Sequence, residues 1–207
     1  MSESDSEYTR KVYNSIADAY MKKRNDPENA TWNNFLEVPA IEKLLKPLVA
    51  GKRVLDLGCG TGLLTRKIVE WGGQANGVDV SEKMIDLART ELPTIEFSVG
   101  SADSLPYESN SFDIVASSLV MHYMENLAPV FSEVARVLNK KGSFVFSMHH
   151  PIQESFKIDK STCEGQPVLQ PYFHNDAYYW NMCGAELLSF HHTFEDIVSG
   201  LKQAGFF

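Results

Sequence analysis

The chain has 207 residues and a formal net charge of −8, with composition ordinary for a globular protein and apolar material enough for one domain with its own core. The negative balance argues against broad electrostatic binding to nucleic acid or to an anionic membrane. The start "MSESDSEYTR" is no secretory signal, no apolar run is long enough to span a bilayer, and Cys59, Cys163 and Cys183 form no CxxC pair; the expected setting is the cytoplasm, with reduced thiols.

In chain order, residues 5–50 read as two helices. Tyr8, Val12, Tyr13, Ile16 and Tyr20 recur at helical spacing, and Ile41, Leu44, Leu45 and Leu48 do so further on. From there strand alternates with helix. The expected strands are 53–59, 74–80, 95–100, 112–120 and 142–150, short, rich in Val, Ile and Phe, and bounded by Gly, Asp, Asn or Ser. Ser81 is placed to cap a helix carrying Met84, Ile85 and Ala88. Val130, Phe131, Val134, Val137 and Leu138 share one face of another helix; Lys140 and Lys141 suit its C-terminal dipole, and Gly142 the position past its end. Residues 151–190 read as irregular and dense in aromatics (Phe156, Tyr172, Phe173, Tyr178, Tyr179, Trp180), the mark of a lid or substrate wall, or of a satellite hydrophobic cluster. A last helix opens on the cap pattern Thr193-x-x-Asp196, and Phe206–Phe207 after Gly205 looks like the start of another strand. Such alternation implies a mostly parallel sheet with helices on both faces, an α/β three-layer sandwich. Ligands gather there beyond the carboxyl ends of the strands, where strand order reverses.

The turn after the first strand, "VLDLGCGTG" (54–62), narrows the ligand. Gly58, Gly60 and Gly62 fall at spacing GxGxG. A dinucleotide fingerprint wants Gly or Ala where Leu63 stands, and a phosphate-binding Walker loop wants a lysine that is absent. Asp56, two residues before the first glycine, would repel a pyrophosphate and suit a cation. S-adenosylmethionine carries an ammonium and a sulfonium and no phosphate. Asp79, at the end of the second strand, can accept both hydrogen bonds of a ribose diol. Past the third strand, Asp103 can accept from an adenine amino group while the Ala102 NH donates to a ring nitrogen, with Met84 and Leu105 on either side of the ring.

"VLDLGCGTG", "GVDVSEKMIDLAR", "GSADSLPYESNSFDIVASSLVMHY" and "VFSEVARVLNKKGSFVFS" together resemble the class I S-adenosylmethionine-dependent methyltransferases, of the broad small-molecule group that shares the "DLGCGTG" turn. The resemblance is close over about residues 50–150 and looser in the Tyr-rich first helix and in "HHTFEDIVSGLKQAGF". It implies a Rossmann-like fold. The implied cofactor contacts are Asp56, Gly58, Gly60, Asp79, Ala102, Asp103 and Ser118, with Cys59 and Val80 beside them. It also implies that the first helix closes over the cofactor, bringing Tyr13, Tyr20 and Arg24 near. The expected organisation is one domain over 1–207: a helical cap (1–50), a cofactor-binding core (51–150), a lid or substrate wall (151–190) and a final helix (191–207). The family fold ends in an antiparallel strand pair for which these residues leave no room, so the natural chain is expected to continue.

Methyl transfer from a sulfonium is an in-line displacement that asks mainly for positioning and desolvation; an oxygen or nitrogen acceptor also asks for a base. His149 and His150 at the end of the fifth strand are the first candidates, followed by His122 in "LVMHYMEN"; strand alternation turns only one of the first two inward. Tyr123, His191 and His192 are further candidates, and His174 has no assignable role. None of the histidines has a cysteine or carboxylate at metal-ligand spacing, so no metal is expected. The stretch "SSLVMHY" after the fourth strand does not resemble the Asn-Pro-Pro-Tyr or Pro-Cys signatures of base-methylating enzymes. Together with the charge, this points to a small-molecule acceptor rather than nucleic acid. A nicotinamide oxidoreductase, a non-catalytic S-adenosylmethionine-binding subunit and a protein or RNA methyltransferase stay as alternatives, and oligomeric state is left open.

Overall fold

The structure, a computed structural model, describes residues 4–26, 33–154, 156–158, 167–169, 171–173 and 177–207. Helix α1 (Asp5–Asn25) starts at Ser4, whose hydroxyl accepts from the Glu7 NH. A π-helical turn (Asn33–Glu37) runs into α2 (Val38–Val49), where Pro39 occupies the first turn, a place with no helical NH partner to lose. The two helices expected over 5–50 are therefore present.

Five strands follow: β1 (Arg53–Leu57), β2 (Gln74–Asp79), β3 (Glu96–Val99), β4 (Phe112–Ser118) and β5 (Leu138–Ser147). They form one parallel sheet in the order β3-β2-β1-β4-β5. The order reverses between β1 and β4, so the switch point opens beyond Leu57 and Ser118. Alternate residues of each strand feed opposite faces. Val54, Ile114 and Ala116 pack under α2 and α3 (Leu63–Glu70), against Ile41, Leu45 and Ile68. Leu55, Leu57 and Val115 pack on the other face with Val130, Phe131 and Val134 of α5 (Leu127–Val137) and Ile197 of α7 (Phe194–Gln203). Helix α4 (Glu82–Glu91) covers the β2–β3 edge through Ile85 and Ala88 against Phe97. Ser81 caps α4 as expected, accepting from the Met84 NH at 3.2 Å, and Thr193 with Asp196 forms a reciprocal capping box on α7.

Three expectations need correction. Helix α5 ends at Val137, and Leu138 is already extended (ψ 144°) and paired with Phe112; Lys140, Lys141 and Gly142 lie in β5, not at a helix end. The ladder resumes at Ile114 opposite Ser143, with the intervening residues bulged out, and Asn139 is held there by its amide on Asp113 at 2.6 Å. The segment 151–190 is not irregular throughout. After a short helix α6 (Pro151–Glu154) come two brief paired strands, β6 (Phe156–Ile158) and β7 (Pro167–Leu169), then a hairpin of β8 (Ala177–Met182) and β9 (Ala185–Phe190). Its turn, Cys183–Gly184, has φ of 53° and 86°, the two positive values of a tight hairpin turn whose twist matches its strands. Finally, Phe206 starts no strand; its ring packs on Phe144. Cys163 and His174 lie outside the described residues.

Candidate active site

Everything of chemical interest converges on the β1–β4 switch point. A cavity of about 210 Å³ opens there, walled by the tips of β1, β2 and β4, by α1 and by β8. A second, of about 230 Å³, lies between the glycine turn and α2, and the two share Tyr20, Arg24, Gly58, Gly60 and Ser118.

The glycine turn is shaped by different demands at different residues. At Gly58 (φ +72°) an added Cβ would sit 2.2 Å from a methyl of Val120, so the protein's own packing requires glycine there. At Gly60 (φ +52°) a Cβ would meet nothing within 4 Å: the turn faces open cavity, with room for a ligand against its backbone. Gly60 NH donates to one carboxylate oxygen of Asp79 and Ser81 NH to the other, each at 2.9 Å. Asp79 is thereby oriented where it lines the first cavity. Burial raises its carboxyl above the ordinary value, against the pull of those NH groups.

Asp56 is 1% exposed and lines the second cavity. Desolvation pushes its carboxyl up to about 7, opposed by the hydrogen bond from Thr65 Oγ1 at 2.5 Å and assisted by the nearby charge of Asp79. A buried acid with this value, beside a cavity, is poised to ionise when a cation arrives. Across the seam, Nε and Nη1 of Arg24 are buried without a hydrogen-bond partner among the described residues, a combination that asks for an anionic or carbonyl group. Ser118 donates to Oε1 of Glu37 at 2.6 Å, and Ser147 donates to the same oxygen at 2.7 Å, which ties the ends of β4 and β5 to α2.

The other predicted cofactor residues divide. Val80, Met84, Ala102 and Tyr20 line the first cavity with Asp79 and the glycines. Cys59 lies behind the turn in the small core cluster with Ile85 and Phe97, and reaches only the second cavity. Asp103 is exposed, engaged by the Ser101 hydroxyl, and lines neither cavity; Leu105 is buried in the core. The first cavity is thus lined by Asp79, the glycine turn, Met84 and Ala102, the second by Asp56, and both by Arg24, while the Asp103 side chain reaches neither.

The far end of the first cavity is ringed by aromatics. Tyr13 and Tyr123 share a 2.7 Å hydrogen bond between their hydroxyls, and burial raises both phenols, Tyr123 to above the ordinary range. His122 stacks on His149 with centroids 3.6 Å apart and planes 8° from parallel. His149 Nδ1 is 2.7 Å from the Tyr178 hydroxyl, and Trp180 meets the His149 ring edge-on. His150, the other strand-end candidate, is exposed, accepts from the Ile152 NH and lines neither cavity. His191 and His192 are buried against backbone carbonyls of Tyr172 and Met124. Sequence reasoning missed Thr65, Glu37 and Val120, for which no local signal exists. Tyr178 and Trp180 were named in the aromatic segment read as a lid or substrate wall; the strand that carries them had a signal too, the alternation Tyr178, Trp180, Met182 before the tight turn at Cys183–Gly184. Leu119 takes φ 57°, rare for a branched residue, where the chain bends round the cavity.

The chain is similar to known proteins in sequence and fold. Residues 55–146 match the family described as "Methyltransferase domain". A Haemophilus influenzae protein is 31% identical over 202 residues, covering 90% of this chain and 78% of that one. A Mycobacterium tuberculosis protein named an uncharacterized methyltransferase is 41% identical over 103 residues, so there the chain spans 41% of the relative's length. Among solved structures, an S-adenosylmethionine dependent methyltransferase from Mesorhizobium loti superposes with a TM-score of 0.69 at 32% identity, covering 82% of this chain and 80% of that one. The family match and the likeness over most of both chains show that the chain belongs to the class I S-adenosylmethionine-dependent methyltransferases.

Proposed function

We propose that the protein transfers a methyl group from S-adenosylmethionine to a small-molecule acceptor. The observation that carries this is the continuity of one cavity, from the Asp79 carboxylate past the open face of Gly60 to the aromatic ring of Tyr13, Tyr123, His122, His149 and Trp180. When bound, the cofactor supplies a methyl group already activated on a sulfonium. What the chain contributes is placement and dryness. Asp79 holds the ribose, and Met84 and Ala102 flank the adenine. Asp56 and Arg24 meet the two charges of the amino-acid tail, and the aromatic rings exclude water from the acceptor. His149, held by Tyr178, lines the acceptor end of the cavity and is the candidate to receive an acceptor proton.

Calorimetric titration tests the cofactor assignment. Binding of S-adenosylmethionine and S-adenosylhomocysteine, weakened at least tenfold in Asp79→Ala, is expected. Binding of NAD in their place would overturn the reading in favour of an oxidoreductase.

A further inference from the structure

The acceptor end of the first cavity has a polarity that says more about its occupant. Among the described residues lining this cavity, histidines aside, only Asp79 and Arg24 carry full charge. Asp79 belongs to the ribose, and Arg24 sits on the seam with the second cavity. The wall beyond them is made of rings and thioethers: Tyr13, Tyr123, His122, His149, Trp180 and Met182. The rings touch in sequence, Tyr13 edge-on to Tyr123, Tyr123 against His122, His122 flat on His149, His149 against Trp180. A charged acceptor entering here would shed its hydration and find no counter-ion.

His122 is the anomaly in that wall. It is 1% exposed, yet neither ring nitrogen has a hydrogen-bond partner among the described residues, and Nδ1 is fully buried. Burial and the neighbouring imidazoles of His149 and His192 push it well below the ordinary histidine range, so the ring is neutral at pH 7. A neutral imidazole left without any partner in a buried site is unfavourable, because it loses its hydrogen bonds to water and gains none in return. The stacked His149 cannot be that partner, because imidazole hydrogen bonds lie in the ring plane and the two planes are parallel. His122 lines the cavity, and because Nδ1 has no accessible surface, a partner entering the cavity can meet the ring only at Nε2.

Resting on the methyl-transfer reading, we propose that His122 determines acceptor specificity: the cavity takes a flat, uncharged, hydroxyl-bearing molecule whose hydroxyl group hydrogen-bonds the His122 ring. The aromatic collar recognises the flat face by contact and His122 recognises the polar edge. A single hydrogen bond to a neutral group, in a site with no competing charge, gives selectivity of about tenfold over an analogue that cannot make it.

The test uses the full chain with histidine ring nitrogens labelled with 15N, saturated with S-adenosylhomocysteine, and three probes that share one ring and differ in charge: phenol, benzoate and benzylamine. Saturation is checked first by calorimetry. Failure at that step overturns the cofactor assignment, and this inference falls with it. With the cofactor site filled, phenol is expected to bind at least tenfold more tightly than either charged probe and to shift the His122 ring resonances. His122→Phe, which keeps a flat ring on His149, should weaken phenol about tenfold and leave S-adenosylhomocysteine affinity unchanged. The inference is overturned by absence of phenol binding, by a charged probe binding as tightly, or by phenol binding without moving the His122 signals. That last readout needs only the wild-type chain, so it stands even if the variant does not fold.

Discussion

Asp56 and Gly58 sit two residues apart and are constrained in opposite ways. The Asp56 carboxyl ionises at about 7 in the folded chain against 3.8 in an unperturbed one. Between those values the folded state holds a proton that the unfolded state has lost. The contribution of Asp56 to stability is therefore full below about pH 4 and declines as pH rises toward 7. A cation bound beside it reverses the preference. Cofactor binding should release about half a proton at pH 7 and close to one at about pH 6, and affinity should rise with pH up to about 7–8. Titrations in two buffers of different ionisation enthalpy measure the release, and Asp56→Asn should abolish it. Gly58 answers to packing instead. Gly58→Ala drives a methyl into Val120 and imposes a left-handed conformation on alanine, for a combined loss of about 2–4 kcal/mol. Thermal melts of Gly58→Ala alone and with Val120→Ala should show the double variant recovering part of the loss; equal losses would mean that strain at φ +72° is the whole effect.

At the level of elements, α1 is the roof of the site, and a polar junction at Asn14 holds it to α4. Asn14 accepts from the Ser81 hydroxyl at 2.7 Å and from the Lys83 NH at 3.1 Å, and donates to Glu82 at 2.8 Å, which Arg10 also meets at 3.0 Å. One side chain of α1 thus completes the N-terminus of α4, whose Met84 lines the same cavity as Tyr13 and Tyr20. Asn14→Ala should cost about 1–2 kcal/mol, speed hydrogen exchange through residues 5–25, and lower cofactor affinity several-fold with the core strands unaffected. Uniform exchange across the chain would deny α1 any independent motion. None of this is visible in sequence, because Asn14 acts on residues 67 to 69 positions away. The five parallel strands and their caps were legible, since each rests on a local pattern of Val, Ile and Phe with a nearby Ser, Thr or Gly. The start of β5 was not: Lys140, Lys141 and Gly142 make a sound helix end by local rules, and pairing of Leu138 with Phe112 overrides them.

Over the whole molecule, the site draws on α1, on three strand tips and on the β8–β9 hairpin, so ligand binding should tighten all of them together. S-adenosylhomocysteine at a hundred times its dissociation constant adds about 2.7 kcal/mol, and the melting temperature should rise by roughly 5–10 °C in a single transition. Two transitions, only one of them shifted, would mean that the roof melts apart from the core. The candidate cofactor residues were legible because they follow strand ends; His122 and His149 were legible as candidates too, but the stacking of their rings, and the meeting of Trp180 and Tyr13 with them, comes only through the fold. That distribution also sets an order of assembly on the ribosome. Tyr8 donates to the carbonyl of Glu186, 178 residues later, and α1 packs along β9. Helix α1 leaves the exit tunnel with its tyrosine face uncovered, and the strand that shelters it follows 178 residues later. Through that interval the face is exposed to chaperones, and the acceptor chamber is complete only once β8 and β9 have been translated.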